Sequence, residues 1–346
     1  MRAYITLNMN NLLDNYSQIY KENPSNLYLV VKANAYGHGL TQIISMLSKV
    51  KPYGYVVSTL QEALTIRKQL IFNNILLLTP YDNLDILNRY NIEVLTSSKE
   101  YTEKLINSKY KVKMHAMIET GMNRDGITKE EFQLFLKKQE FKNYLKGICT
   151  HIYSLEKFDS QLSIINDILQ EMNFKGLIHI KSSSSLHIKD NISNSARIGF
   201  ALYGLYENYK PVLKLSSKII RIQKVNANSC VGYGNNLIKE DGYIYTIGFG
   251  YADGWPKDFK FNVYIDNEIL FKACPMCMDF SMFFSTKKFE KNSIIEIIGR
   301  NNTVLKLAND NNMSPYEVTT LLSPRLIRNI EKWKVETILL VSTFKY

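Results

Sequence analysis

The sequence predicts an α/β architecture, an N-terminal eight-stranded (β/α)8 barrel of the TIM type over 1–213 followed by a mainly β domain over 214–346. Three observations carry this. From 27 to about 199 one theme repeats: a short apolar run, a turn, then an amphipathic stretch. Beyond about 211 the helical stretches give way to β-rich runs separated by Gly and Asn turns. Finally, 346 residues at roughly 150 per domain make about two domains, each large enough for its own core.

The barrel strands are expected, in order, at 27–32, 53–58, 75–78, 92–95, 112–118, 146–150, 177–181 and 195–198. Between them, 61–70, 99–108, 129–139 and 158–170 carry apolar residues at three- and four-residue spacing and read as helices. Parallel strands need such crossovers, and eight βα units close most naturally into a barrel whose chemistry lies at the C-terminal ends of its strands. An open doubly wound sheet is the alternative, but no G-x-G-x-x-G follows the first strand. In the second domain, strands are expected at 215–225, 242–249, 263–265, 293–298 and 337–341. The one helix expected there is 314–322, opened by Ser-Pro with Glu317 at the third helical position.

With 45% hydrophobic and 22% charged residues, 16 Gly and 8 Pro, the composition excludes collagenous and extended disordered chains. The opening residues have no long apolar core, and no run approaches the roughly 18 apolar residues of a membrane span, so a cytoplasmic protein is expected. The net charge of +11 invites nucleic acid, but the lysines stand in ones and twos, as at Lys137 and Lys138, rather than in a patch. Four cysteines are too few for a disulfide framework. Cys274 and Cys277 form one C-x-x-C with no second metal-ligand pair to answer it, so no metal is expected.

Lys32 closes the first strand and opens the run Lys32-Ala33-Asn34-Ala35-Tyr36-Gly37-His38-Gly39. A lysine ending an apolar strand is usually a solvated end. Here the glycines allow close backbone approach and the position is the barrel's working rim, where a lysine can hold an aldehyde cofactor covalently.

This run resembles the pyridoxal-phosphate attachment motif of the alanine racemases, fold-type-III enzymes built from a barrel and a C-terminal β domain. Further matches follow in the family's order: Glu119-Thr120-Gly121-Met122-Asn123-Arg124, Thr150-His151, the run 196–204 from Ala196 to Gly204, Val231-Gly232-Tyr233-Gly234, Gly250-Tyr251-Ala252-Asp253-Gly254 and Cys277-Met278-Asp279. The resemblance implies interconversion of L- and D-alanine with pyridoxal 5'-phosphate, supplying D-alanine for peptidoglycan. It also implies a homodimer with composite sites. Racemisation takes the α-proton from one face and returns one to the other, so it needs two bases. The family assigns these to Lys32 and to Tyr233 of the partner subunit. His151 and, through it, Arg197 are then the groups that make Tyr233 basic. Arg197 would face the pyridine nitrogen; because a guanidinium keeps its proton, the ring is left a weaker electron sink, which suits racemisation.

By the same resemblance Tyr36, Ser183 and the amides of Gly199 and Phe200 receive the phosphate, Arg124 and the backbone of Met278 receive the substrate carboxylate, and Tyr251 and Asp279 stand at the entrance and behind it. Two departures stand out. Met117 replaces the carbamylated lysine that steadies the matching arginine in many members, so Arg124 needs another anion or is held loosely. Pro324 stands where many members have a phosphate-contacting tyrosine. The alternatives are a racemase of another small amino acid such as serine, a related fold-type-III decarboxylase, or a non-catalytic cofactor carrier.

Overall fold

The structure, a computed structural model, describes residues 2–331 except 24 and 71. The first strand, β1 (Tyr4–Leu7), does not enter the barrel. The barrel is closed and parallel, in the order β2 (Asn26–Val30), β3 (Gly54–Val57), β4 (Asn74–Leu77), β5 (Glu93–Thr96), β6 (Met114–Met117), β7 (Leu145–Cys149), β8 (Leu177–Lys181) and β9 (Ser195–Ile198). β3 to β6 and β8 are buried along most or all of their length, as expected of strands covered on both faces. The crossover helices are started by side-chain caps. Thr59 and Glu62 form a capping box on Leu60–Gln69, Thr128 and Glu131 another on Lys129–Leu136, and Ser98 caps Lys99–Ile106. The helix expected over 129–139 ends at Leu136, and a second begins at Gln139, because Lys138 is extended.

Two compact units make up the chain, one from 15–33 and 44–202 with the barrel, the other from 2–14, 34–43 and the described residues beyond 202. This is not the single cut expected at 213/214. β1 alternates half-buried and buried residues, the pattern of a strand with one covered face, and it pairs antiparallel with β10 (Leu213–Val225). The second unit's sheet runs β11 (Gly242–Ile247), β14 (Ser281–Ser285), β13 (Glu268–Lys272), β12 (Val263–Ile265), β15 (Ile294–Ile298), β10, β1 and β16 (Ile327–Ile330). The sequence reading missed β13, β14 and β16, which are four or five residues long, and also the helix Val304–Asp310, whose N-cap is Thr303. The helix expected at 314–322 is present over Pro315–Thr320 with its Ser314–Glu317 box. The strand expected at 337–341 lies outside the described residues.

Between β2 and the helix Leu40–Leu47 the chain makes an unusual turn. Lys32–Tyr36 is helical, but φ is +52° to +54° at Ala33, Asn34, Ala35 and Tyr36, so the turn is left-handed. Each non-glycine residue in that conformation costs roughly 1–2 kcal/mol, so the turn must be held from outside. Holding comes from side chains. The Asn34 amide oxygen accepts the Leu40 amide at 2.8 Å, His38 Nδ1 lies 3.0 Å from the Tyr36 carbonyl, and Arg328 donates twice to the Gly37 carbonyl, at 3.0 and 2.9 Å. Gly37 itself has φ +79°, and a Cβ there would stand 1.8 Å from the Thr319 carbonyl oxygen. Gly37→Ala should therefore cost more than about 4 kcal/mol in urea unfolding, far beyond an ordinary surface substitution. A loss below about 1 kcal/mol would show that the segment does not need this conformation.

His38 is fully buried against the Tyr203 ring, and its Nε2 has no hydrogen-bond partner. Burial brings its pKa down to about 4, although its bonds to the backbone oppose this. The unfolded chain, with an ordinary histidine pKa near ~6.5, thus binds the extra proton first as pH falls. Between about pH 6.5 and 4 the fold should lose on the order of 3 kcal/mol through this one group. Urea midpoints measured across that window should fall less steeply for His38→Gln than for the parent, and parallel curves would remove His38 as the cause.

Candidate active site

Lys32, Arg124, His151 and Arg197 come close enough at the barrel rim to act on one another's charge, and Ser183, Gly199 and Phe200 lie on the same unit. Lys32 follows β2, where the Val31 amide still pairs with the Val56 carbonyl at 2.9 Å, and it is half-buried at the start of the left-handed turn. Burial lowers the pKa of its ammonium, and the charges of Arg124 and Arg197 lower it further against an opposing pull from Glu62 and Asp125. More of the lysine is therefore present as the free, nucleophilic amine near neutral pH than for a surface one.

Arg124 sits in the loop after β6. The Glu119 carboxylate shapes that loop by accepting the amides of Gly121 and Asn123 at 2.5 and 3.1 Å. Arg124 Nε pairs with Asp125 Oδ1 at 2.7 Å, with its side chain half-exposed. The acid that holds Arg124 is thus its own neighbour in sequence. Met117 is buried, with the Cys149 thiol 3.8 Å from its sulfur.

His151 follows β7, its carbonyl accepting from Gln161 at 3.0 Å. Burial, then the charges of Arg197, Arg124 and Lys32, brings its pKa down to about 4, so it is neutral near pH 7. Arg197, on β9, does not hydrogen-bond to His151 as expected. Its Nη1 meets His179 Nδ1 at 2.8 Å and also the His179 carbonyl, while Nη2 donates to the Thr150 carbonyl at 2.7 Å. Ser183 opens a short turn after β8, and its buried hydroxyl accepts the Ala201 amide at 3.1 Å, beside the chain turn at Gly199 and Phe200.

The remaining candidates belong to the other unit. Tyr36 packs its ring 5.3 Å from Tyr203, and burial with the neighbouring Tyr316 pushes its hydroxyl up to about 12. Tyr233 stands between Gly232 and Gly234, both at positive φ, on a loop closed by the Val231 amide and the Asn236 carbonyl at 2.9 Å. A Cβ on Gly232 would lie 2.4 Å from Cys274 Sγ. Tyr233 is 73% exposed and, with Tyr251, Trp255, Met276 and Met278, lines an open cleft of about 590 Å3. Tyr251 and Met278 are tied together through the amides of Tyr251 and Ala252, which donate to the Cys277 and Met278 carbonyls at 3.0 Å. Asp279 lies away from the cleft lining, in a charge cluster with Arg2 (3.0 Å) and Arg325 (2.6 Å), both of which also bind the buried Asp253.

The sequence reading missed His179 altogether. It also passed over Tyr28, Glu93, His115 and Lys146, which connect with His179 inside the barrel. The available signal was the placing of titratable side chains within otherwise apolar strands, where burial makes an unpaired one costly.

Residues 7–207 match the family profile described as alanine racemase, N-terminal domain, and 212–330 match alanine racemase, C-terminal domain. An alanine racemase of Streptococcus uberis is 28% identical, the match covering 94% of this chain and 96% of that protein. One of Lactococcus lactis subsp. lactis is 29% identical over 87% and 90% of the two chains. Among solved structures, alanine racemase from E. faecalis superposes with a TM-score of 0.87 at 25% identity, covering 95% of this chain and 98% of that one. The enzyme from Bartonella henselae, with covalently bound pyridoxal phosphate, gives 0.88 at 25% identity, covering 96% and 100%. With matched profiles spanning most of the described residues and a shared fold, the chain belongs to the alanine racemase family.

Proposed function

We propose that this protein is a pyridoxal-phosphate-dependent racemase that interconverts L- and D-alanine in the cytoplasm and supplies D-alanine for peptidoglycan. The observation that carries this is Lys32, half-buried on the barrel rim with its basicity reduced and two arginines close enough to reduce it. The residues present fit the cofactor. A nucleophilic amine suits its aldehyde, a guanidinium already fixed by His179 and Thr150 suits its ring nitrogen, and the Ser183 hydroxyl with the amides of Gly199 and Phe200 suits its phosphate. Tyr36 is the further phosphate hydroxyl. When bound, pyridoxal phosphate supplies the electron sink that makes the α-proton of the amino acid acidic.

The chain's own residues do the rest. Arg124, oriented by Asp125, holds the substrate carboxylate together with the backbone of Met278 of the partner subunit. Lys32 takes or returns a proton on one face, and Tyr233 of the partner subunit does so on the other. An exposed tyrosine on a glycine-flanked loop is well placed to enter a second copy of this chain. Asp279, with Arg2 and Arg325, braces the Met278 loop. Arg197 keeps its proton, so the ring nitrogen receives none from it.

Incubating the pure protein with L-alanine and pyridoxal phosphate should produce D-alanine, and no turnover with the cofactor still attached at Lys32 would favour a carrier. Tyr233→Phe should lower the rate from the L side at least about tenfold more than from the D side, whereas equal and minor losses would sink the two-base assignment. Asp125→Asn should raise the KM for alanine about tenfold with a smaller change in kcat, because Arg124 loses the carboxylate that orients it. An unchanged KM would mean that Arg124 needs no such partner.

A further inference from the structure

Across the barrel interior runs an unbroken line of hydrogen bonds that ends on Arg197. Glu93 on β5, His115 on β6 and His179 on β8 are 0–1% exposed. Glu93 Oε2 lies 3.1 Å from His115 Nε2, His115 Nδ1 lies 2.8 Å from His179 Nε2, and His179 Nδ1 lies 2.8 Å from Arg197 Nη1. Tyr28 donates to Glu93 Oε2 at 2.8 Å, and the Lys146 ammonium donates to Oε1. Burial favours the neutral form of both imidazoles. Glu93 stays ionised: burial opposes its charge, but the bond to His115 and the charge of Lys146 outweigh it and bring its pKa down to about 2.

The tautomers follow from either end. A guanidinium can only donate, so His179 Nδ1 must accept, its Nε2 carries the hydrogen, and that hydrogen goes to His115 Nδ1. His115 must then carry its hydrogen on Nε2. A carboxylate can only accept, so reasoning from Glu93 gives the same assignment. We infer that Glu93 and His115 are positioning residues: they lock both histidines as Nε2–H tautomers, and so fix an acceptor on Arg197 that sets the guanidinium's orientation toward the cofactor ring. This role rests on the cofactor-dependent reading above, but the tautomers themselves do not.

Glu93→Gln separates the two. Lys146 can only donate, so the new amide must turn its oxygen to Lys146 and its NH2 to His115 Nε2. Both tautomers then invert, and His179 presents an N–H to Arg197. In Glu93→Gln/Lys146→Met the amide is free to turn back and accept from His115, so the original tautomers return. The measurement is side-chain 15N NMR of the chain's five histidines in protein with pyridoxal phosphate bound, together with kcat and KM for alanine.

The parent should show His115 and His179 as Nε2–H. The single variant should show both as Nδ1–H, with kcat down about tenfold and KM within about twofold, and the double variant should regain both signatures. The inference is overturned by Nδ1–H or charged rings in the parent, by unchanged rings in Glu93→Gln, or by a double variant that does not recover. Inverted and restored rings in a protein that does not racemise alanine would instead leave the hydrogen-bond line standing and remove the proposed activity.

Discussion

A reversal of helical hand governs how this chain is put together. Leaving β2, four successive residues take positive φ, a conformation that L-residues adopt at a cost of roughly 1–2 kcal/mol each. The cost is borne by bonds that all converge on one short segment: Asn34 to Leu40, His38 to Tyr36 and Arg328 to Gly37. The reversal places Lys32 at the end of a rigid strand rather than on a loose loop. It also lets residues 34–43 leave the barrel unit and join the other, so the chain crosses between units within two residues of the lysine. Strain of this kind persists only where the surroundings over-determine it.

The rim is also electrostatically strained. Lys32, Arg124 and Arg197 each disfavour the charge of a neighbour, and Asp125 offsets only part of this. A site that holds surplus positive charge in a half-buried place is made more stable by an anion, and the proposed cofactor and substrate both bring one. Such sites are less stable empty than full.

Much of this was legible in the sequence. All eight barrel strands were readable because strands covered on both faces are written as continuous apolar runs, with capped helices between them. Lys32 stood out because glycines followed it at a strand end. β13, β14 and β16 did not, since strands of four or five residues that are not continuous apolar runs are too short for a period to show. β1 was missed for a different reason: its four residues read equally well as a lead-in to the barrel, and only pairing with residues more than two hundred positions away assigns it. The pairing of Arg197 with His179 rather than His151 was likewise invisible, because only the register of β8 against β9 brings His179 within reach.

The position of β1 bears on how the protein is made. β1 lies between β10 and β16, so its two hydrogen-bonding edges are satisfied by segments that emerge from the ribosome long after it does. The barrel strands are all complete by Ile198, whereas the first partner of β1 begins at Leu213 and the second at Ile327. During synthesis the barrel can close while β1 trails as an unpaired strand, exposed to pairing with other chains. Its brevity limits that hazard, and the seam of the second sheet is one of the last parts of the molecule to be sewn.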